Sequence, residues 1–419
     1  MDFISATEIK KEISPEDIVL GRELSFGCCV HKIKKRSTFT FVTLRTGKYT
    51  FLTVHNPKFC DKPLKGVFEG VYLYVTCKIR EEKKAENGLE IAITDYNILS
   101  KPKEKYPLAV SDRIIDCSLE EMLENRSVTY RNPIEKAPAF VFSSVIDGFS
   151  DFMHKNGFIN IKTPNITQIH PEEDKDMLSL NYFGKDAYLI TDPGVYTLCS
   201  LAYFDRVFEV STVFNGKKRN SPRLLNEYTA LHFDMAYVTD IKELTAVGCS
   251  ILRELISKIS SECKYQLDLL GAELPVVGDV PVVTFIGAME FLKKEDEQSD
   301  LDPTDEKRIC KWAKEKYNSD FVFVAEYPTC KRPHYYKENK GFALLFRGME
   351  IAFGGLSKNE LNEYETSAYS EHFSDFFKYG MPPCGGVSIG AERFVMQLLG
   401  LHDIRQASMF PRDIRNITP

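Results

Sequence analysis

The sequence predicts an α+β protein of two domains, and three observations lead to this prediction. Five short strand-like runs fall between residues 17 and 105, which is the pattern of a small β-barrel. Residues 101–108 then form a charged segment with two prolines, the composition of a hinge between domains. Beyond this segment, apolar residues recur at helical spacing between further strand-like runs, so residues 106–419 predict a larger domain of helices and strands.

Length and composition describe an ordinary globular protein. The chain has 419 residues, of which 43% are hydrophobic and 27% are charged. It contains no run of 18 apolar residues, and its first residues lack the basic-then-apolar order of a signal peptide, so we expect a cytoplasmic protein without a membrane span. The net charge is −6, so any RNA contact has to come from local basic patches.

The cysteines favour a reducing compartment. There are eleven, an odd number, with no CxxC pair and no His/Cys spacing typical of a metal site. Cys28 and Cys29 are adjacent and would point to opposite faces of a strand. We therefore expect reduced, mostly buried thiols rather than disulfides.

The first domain is predicted to be an oligonucleotide-binding barrel (OB-fold). In residues 71–79 every second residue is apolar, which indicates a half-buried strand, and similar runs occur at residues 24–30, 39–44, 49–54 and 89–93. About five short strands in roughly 80 residues fit this fold best. A basic cluster follows the first strand: His31, Lys32, Lys34, Lys35 and Arg36.

The second domain begins with a polar connector over residues 109–139, which ends in Arg131-Asn132-Pro133. Apolar residues at helical spacing between Phe142 and Met153 then predict an amphipathic helix, which Gly157 ends. A strand follows at residues 158–161, before Thr163-Pro164. Taken alone, these residues describe a buried helix and a strand breaker.

A glycine-rich stretch lies near the end of the chain. Gly385, Gly386 and Gly390 precede an apolar helix, and glycines at such a place allow the backbone to approach a ligand or another strand. Glu392 and Arg393 fall at the helix start, where backbone N–H groups favour anions, and an arginine fork suits phosphate. By itself this stretch is either a phosphate site or a corner between sheet and helix.

The residues after this stretch carry a family resemblance. The runs Leu399-Gly400-Leu401, Ile404-Arg405 and Phe410-Pro411-Arg412-Asp413 complete a tail that resembles the third signature motif and C terminus of class II aminoacyl-tRNA synthetases. It is most similar to the aspartyl/asparaginyl branch, and within it to the compact archaeal-type aspartyl enzymes. The resemblance implies a ligase of protein biosynthesis that uses ATP and Mg²⁺ and acts on tRNA.

The resemblance also implies the domain plan. Residues 1–105 would be an OB-fold that resembles the anticodon-binding domain of the family. Residues 106–419 would be a class II catalytic domain, an antiparallel sheet flanked by helices, with a helical insertion at about residues 240–320. The helix before Gly157, the strand and Pro164 resemble the first class II motif, which builds the dimer interface in the family. A homodimer is therefore expected, with tRNA as a partner of the barrel.

Several site residues are implied by position in the family's motifs. Arg393 would be catalytic and would bind the nucleotide, together with Arg223, Glu227 and Tyr228. Glu350 stands at the position of the family's magnesium ligand.

Two further positions have an alternative interpretation. Glu172 aligns with the glutamate that holds the substrate's ammonium group, but residues 171–176 are also simply a charged loop. Phe41 aligns with the aromatic residue that stacks on an anticodon base, but plain barrel packing is an equal alternative. The glutamine that the family places one strand later is absent, since that neighbourhood reads Phe51-Leu52.

The substrate-binding turn departs from the family pattern. Gly194 replaces a glutamine, and Thr197 replaces the lysine that neutralises the aspartate side chain. Ser357 replaces an arginine that helps to fix the same side chain. Because a buried carboxylate without a counter-charge is costly, aspartate is not the expected substrate.

The nucleotide and metal positions depart from the pattern as well. Asn215-Gly216-Lys217 replaces the Arg-x-Glu that grips the α-phosphate and reads adenine, and Leu224 replaces a γ-phosphate histidine. The nearby cations Lys217, Lys218, Arg219 and Arg223 form either a solvated hairpin loop or a shifted phosphate site. Ala343 and Phe353 replace an aspartate and a serine beside Glu350, which leaves a poor magnesium site.

Three hypotheses about function follow. The loss of one preorganised charge-stabilising donor costs about 10²–10³ in rate, so adenylate formation by the inherited mechanism should be very slow. The first hypothesis is a divergent paralog that keeps the fold and part of the pocket but has altered or lost aspartate activation. The second is an active aminoacyl-tRNA ligase with compensating residues. The third is a non-catalytic RNA-binding or regulatory protein.

Overall fold

A computed structural model describes residues 12–170, 176–294, 300–328, 332–364 and 370–418. The chain divides into two compact units, Met1–Lys136 and Ala137–Pro419, so the polar connector after residue 105 belongs mostly to the first unit. Strands and helices are both present, which confirms the predicted α+β class. No helix in these ranges is long and apolar enough to cross a membrane.

The first unit contains the predicted five-stranded barrel. Its strands pair in the closed order β1-β2-β3-β5-β4, with β3 and β5 parallel. Alternation along β2 places Val42 and Leu44 in the barrel core and Phe41 on the outer face. The elements are β1 (Glu23–Lys35), β2 (Thr40–Arg45), β3 (Thr50–His55), β4 (Tyr72–Glu81), β5 (Leu89–Ser100), α1 (Leu119–Glu124) and α2 (Arg126–Thr129).

The second unit is built on an eight-stranded sheet of order β12-β13-β14-β15-β16-β11-β10-β6, in which only the β12–β13 and β10–β6 pairs are parallel. Strands β7, β8 and β9 form a separate small sheet of order β7-β9-β8. The strands are β6 (Ile159–Asn160), β7 (Ile166–Thr167), β8 (Leu178–Tyr182), β9 (Lys185–Leu189), β10 (Arg206–Phe214), β11 (Glu227–Ala236), β12 (Val282–Thr284), β13 (Phe321–Tyr327), β14 (Tyr336–Phe346), β15 (Met349–Ser357) and β16 (Cys384–Gly390).

Helices cover the sheet. They are α3 (Pro133–Lys155), α4 (Gly194–Ser200), α5 (Ile241–Glu262), α6 (Lys264–Leu270), α7 (Phe285–Leu292), α8 (Pro303–Tyr317), α9 (Ser370–Lys378) and α10 (Ala391–Leu399). The stretch expected as a helical insertion thus carries α5 to α8, and it also carries β12, which adds a strand to the main sheet.

The helix α3 starts earlier than the sequence suggested. Residues 133–139 were assigned to the connector, but the helix begins at Pro133. The side-chain oxygen of Asn132 accepts a hydrogen bond from the backbone N–H of Ile134 at 2.8 Å, and proline is favourable in the first helical turn. The predicted apolar face of the helix does face the protein interior, since Val145, Phe149 and Met153 are fully buried.

The central strands have two different faces. On one face, alternate residues of β11 and β16 such as Leu231, Phe233, Val387 and Ile389 pack in the main hydrophobic core. The other face therefore carries the residues between them, among which His232 pairs in register with Ser388. This second face holds the candidate site.

The glycines of β16 serve close strand packing. A Cβ atom at Gly386 would lie 2.0 Å from Oδ1 of Asp234, and one at Gly385 would lie 2.6 Å from the carbonyl oxygen of Gly355. By contrast, a Cβ atom at Gly390 would meet nothing closer than 3.7 Å. Of the two uses expected for these glycines, approach to another strand applies to Gly385 and Gly386.

We expect the Gly386→Ala variant to lower the stability of the full chain by about 1–3 kcal/mol, because the added methyl group overpacks the contact with Asp234. Gly278→Ala is the matched control, since its Cβ atom would meet nothing within 4 Å. Thermal and urea unfolding of both variants measure the effect. Equal unfolding midpoints for the two variants would contradict the contact.

Candidate active site

A cavity of about 180 Å³ opens on the second face of the sheet, between the ends of β11, β15 and β16 and the start of α10. It brings together four of the residues selected from the sequence: Arg223, Tyr228, Glu350 and Arg393. Its other lining residues are Asn215, Leu224, Leu225, Ile351, Ala352, Phe353, Ser388, Gly390, Glu392 and Ile404.

Glu227, another candidate, does not line this cavity. It is exposed, and its backbone forms an isolated bridge with Arg412. Glu172 lies outside the described residues.

Arg393 lies in the first turn of α10. Its Nη1 donates a hydrogen bond to the backbone carbonyl oxygen of Glu350 at 3.1 Å, which fixes the guanidinium at the cavity wall. No described side chain caps this helix start, whose N-cap residue is Gly390. The local field of the helix terminus and the arginine both favour an anion here.

Arg223 is held by a carboxylate from α8. Its Nη2 donates to Oε2 of Glu306, and both side chains are largely buried. Burial raises the pKa of Glu306, and the nearby Arg223 opposes that rise. The Nη1 atom of Arg223 is buried without an acceptor among the described residues.

The other cations of the same loop lie elsewhere. Lys217, Lys218 and Arg219 are exposed, and the Nζ of Lys217 is 3.4 Å from a carboxylate oxygen of Asp176. Arg223 is therefore the loop cation that lines the cavity.

Glu350 carries an arginine partner. The Nη2 of Arg332 lies 2.9 Å from Oε2 of Glu350, and the Arg332 side chain is 7% exposed. The guanidinium also lies 3.7 Å from the centre of the Tyr327 ring, a cation–π arrangement. Burial alone would raise the pKa of Glu350, but the charges of Arg332, Arg393 and Arg223 lower it overall.

This donor set does not fit Mg²⁺. Magnesium requires near-octahedral oxygen coordination, and Glu350 is a single carboxylate whose Oε2 already accepts from Arg332. Ala343 and Phe353 are register partners on β14 and β15 and supply no oxygen side chain. Within the described ranges, no group of three or more Asp, Glu, His or Cys side chains could hold a metal ion.

Glu392 is a lining residue that the sequence did not single out as a site residue. The β11–β16 ladder ends at the pair Ala230–Gly390 because the chain turns into α10. Beyond this point, both carboxylate oxygens of Glu392 accept from the backbone N–H of Thr229, at 3.1 and 3.0 Å. The side chain replaces a missing strand partner and fixes the backbone next to Tyr228.

A buried polar network lies beside the cavity on the same face of the sheet. The Oγ1 of Thr197 lies 2.5 Å from Oδ2 of Asp234 and 2.9 Å from Nε2 of His232. The His232 and Asp234 atoms are 2.8 Å apart, and all three side chains are essentially inaccessible. Burial alone would lower the pKa of His232, but Asp234 raises it overall, so Asp234 already has a hydrogen-bonding partner within the chain.

A second polar cluster explains Gly194. The Oδ1 of Asp192 accepts from the backbone N–H of Gly194 at 2.6 Å and from the hydroxyl of Tyr335 at 2.7 Å. A Cβ atom at position 194 would lie 2.1 Å from that hydroxyl oxygen. Tyr335 therefore occupies the space that a longer side chain at position 194 would need.

The candidate RNA-binding residue Phe41 lies in the first unit. Its ring makes an edge-on contact with Phe39, with 5.0 Å between the centres, and it is not in the hydrophobic core cluster of the barrel. On the same outer face, Phe41 pairs in register with Lys34 of β1. Leu52, in the Phe51-Leu52 neighbourhood compared above with the family's glutamine, is 60% exposed.

We expect the stability of the protein to fall as the pH rises through about 7, and to do so less in the Glu392→Gln variant. Burial raises the pKa of Glu392 from 4.5 to about 7. Between these values the folded chain binds more protons than the unfolded chain, so the raised pKa favours folding at low pH and this contribution is lost as the pH rises.

The interval between the two pKa values corresponds to at most about 3 kcal/mol. Urea unfolding midpoints of both proteins, measured at several pH values, give the difference. Parallel pH profiles would show that the carboxyl group titrates normally.

Comparisons with known proteins agree with the fold. Residues 118–414 match the family model for class II tRNA synthetases (D, K and N). An aspartate–tRNA(Asp/Asn) ligase of Deinococcus radiodurans is 32% identical over 370 residues, covering 82% of this chain and 85% of the relative. One of Aeropyrum pernix is 33% identical over 432 residues, covering 97% of each chain.

Solved structures show the same fold at low identity. The asparaginyl-tRNA synthetase of Pyrococcus horikoshii, solved with asparaginyl-adenylate, superimposes with a TM-score of 0.86 at 18% identity, covering 98% of this chain and all of the other. The aspartyl-tRNA synthetase of Entamoeba histolytica gives 0.83 at 20% identity, covering 98% and 93%. With the family model and the relatives above, these matches show that the chain belongs to the aspartyl/asparaginyl branch of the class II aminoacyl-tRNA synthetase family.

Proposed function

We propose that the chain is a divergent paralog of an aspartyl/asparaginyl-tRNA synthetase, one that keeps a nucleotide cavity but has altered or lost aspartate activation. The observation that carries this proposal is the network of Thr197, His232 and Asp234. Where the family has a lysine for the substrate carboxylate, this chain has a threonine that bonds to an acidic residue. A substrate carboxylate near Asp234 would be repelled and would lack a cation.

A neutral amino acid suits this environment better than aspartate. The imidazole of His232 already pairs with Asp234, so the network offers no free cation to a substrate carboxylate. The Nδ1 of His232 and the Oγ of Ser357 are buried without hydrogen-bond partners among the described residues, and neutral polar side chains can satisfy such groups. Tyr335 limits the space next to Gly194.

The nucleotide part of the site supports ATP or a related nucleotide as the second ligand. Arg393 and Arg223 line the cavity as cations for an oxyanion, and the Tyr228 ring lines the same cavity and offers a surface on which a purine can stack. The second hypothesis, an active ligase with compensating residues, is favoured by the same two arginines, because they can bind the phosphates of ATP. Where activation is retained, the carboxylate of the amino acid would attack the α-phosphate of ATP with release of pyrophosphate, and the aminoacyl group would then pass to tRNA with release of AMP.

A homodimer and a cytoplasmic location belong to the same proposal. Near β6, the strand that resembles part of the dimer motif, several large apolar side chains are exposed, including Ile159, Tyr203 and Tyr237 at 45%, 73% and 69%. Such a patch on one unit is suited to a protein interface. The described cysteines are all free thiols, which suits a reducing compartment.

We expect aspartate-dependent ATP–pyrophosphate exchange to be at least about 10²-fold slower than in the Deinococcus radiodurans relative under the same conditions, because the substrate carboxylate lacks a cation. Exchange is measured with each of the twenty amino acids, and thermal shift with aspartate and with neutral amino acids. Stabilisation by asparagine or another neutral amino acid above that by aspartate is expected. Aspartate exchange at the rate of the relative would refute the proposal.

The Thr197→Lys variant tests whether the missing cation is what excludes aspartate. It restores the family's lysine beside Asp234, and Thr197→Val is the control that removes the hydroxyl without adding a charge. If the missing cation excludes aspartate, binding of aspartate should improve in the lysine variant and not in the valine variant. Circular dichroism would show whether both variants fail to fold. In that case the exchange and thermal-shift measurements of the unmodified chain with the twenty amino acids test the proposal.

For RNA, we expect Phe41→Ala to weaken the binding of a tRNA transcript about 5- to 100-fold, the effect of losing one aromatic stacking partner. The control is Phe68→Ala, in the loop between β3 and β4, a ring that is 42% exposed. Fluorescence anisotropy with labelled transcripts measures both. Equal affinities would assign Phe41 to barrel packing.

A further inference from the structure

We propose that the guanidinium group of Arg332 takes the place of a divalent cation beside Glu350, so that the cavity binds a nucleotide polyphosphate without magnesium. This inference rests on the proposed nucleotide cavity, and it concerns how the charge of the ligand is balanced. It starts from the disagreement between the family's metal position and the residues present.

The first step is the position of Arg332. Its Nη2 lies 2.9 Å from Oε2 of Glu350, the carboxylate that stands at the metal position. The group is nearly inaccessible, and stacking on Tyr327 at 3.7 Å fixes the plane of the guanidinium. Because arginine remains charged at all ordinary pH values, this is a permanent cation at the place where the family uses an ion.

The second step is the balance of charge. The side chains of Glu350, Arg223 and Arg393 line the same cavity, and Arg332 binds the carboxylate of Glu350. Glu350 is paired with Arg332 and Glu306 with Arg223, whereas Arg393 is hydrogen-bonded to a neutral backbone carbonyl oxygen. A divalent cation would have to displace Arg332 from Glu350, whereas an oxyanion can be bound by Arg393.

The third step is that two of the arginines have N–H groups without hydrogen-bond acceptors among the described residues. The Nη1 of Arg223 and the Nε of Arg332 are buried and make no hydrogen bond within the described residues. Buried N–H groups without acceptors are rare, and phosphate oxygens are the acceptors that an arginine fork fits best. Arg223 and Arg393 line the cavity, whereas Arg332 is not among its lining residues and is connected to it through Glu350.

Binding of ATP to the full chain tests the inference, measured by isothermal titration calorimetry in excess EDTA and again in excess MgCl₂. We expect the two dissociation constants to agree within about threefold, and we expect MgCl₂ alone to cause no thermal shift. Affinity for ATP that falls tenfold or more in EDTA would overturn the inference. The absence of ATP binding under both conditions would overturn it as well.

Three variants locate the effect. Arg332→Gln should weaken ATP binding about tenfold or more in EDTA, whereas Arg332→Lys, which keeps the charge, should lose less. Arg253→Gln, on the exposed face of α5 and bonded to the carbonyl oxygens of Val277 and Gly278, is the matched control and should bind normally. Equal affinity in Arg332→Gln and Arg253→Gln would overturn the inference.

If Arg332→Gln does not fold, two measurements still test the inference. They are the ATP affinity of the unmodified chain in EDTA and in MgCl₂, and the ATP affinity of Arg332→Lys. The outcome is separate from that of the amino-acid exchange experiment. Activation of aspartate with ATP bound in EDTA would refute the proposed function and keep this inference, and neutral amino-acid activation that requires magnesium would do the reverse.

Discussion

Charge balance within the chain is the constraint on which the rest of the second unit depends. The central strands place ionisable side chains on one buried face, and a buried charge without a partner is costly. Glu350 has Arg332, Glu306 has Arg223 and Asp234 has His232, so these charges are paired before any ligand arrives. A protein that folds with these pairs in place has fewer free charges to offer to a metal ion or to an acidic substrate.

The geometry of the sheet makes this arrangement possible. One face of β11 and β16 carries the apolar core, so these strands contribute to the site through their alternate positions. Gly386 leaves room for Asp234, and Gly194 leaves room for Tyr335. Substitutions at the ligand positions are therefore coupled to small residues nearby, because each new side chain or contact needs space from a neighbour.

The sequence predicted the parts of the structure that depend on local patterns or on contiguous motifs. The barrel strands, the apolar stripe of α3 and the glycine-rich turn before α10 follow from periodicity and residue type, and the family resemblance supplied the strand arrangement of the second unit. The start of α3 was placed too late because the capping role of Asn132 and the first-turn position of Pro133 depend on geometry. Three site residues were not selected: Glu306, Arg332 and Glu392. Their partners are 83, 18 and 163 residues away in the sequence, so no spacing rule joins them.

The same pairs explain why the lost family residues need not leave an empty pocket. Deleting a metal ligand from a site that still contains arginines would leave excess positive charge, and deleting the lysine at position 197 would leave excess negative charge. The two ends of the site differ in how their carboxylates are paired. Glu350 pairs with Arg332 at the nucleotide end, whereas Asp234 pairs with His232 at the amino-acid end. Because Arg393 at the nucleotide end is hydrogen-bonded to a neutral carbonyl oxygen, an anionic ligand is favoured there, and a ligand group near Asp234 gains most if it is neutral.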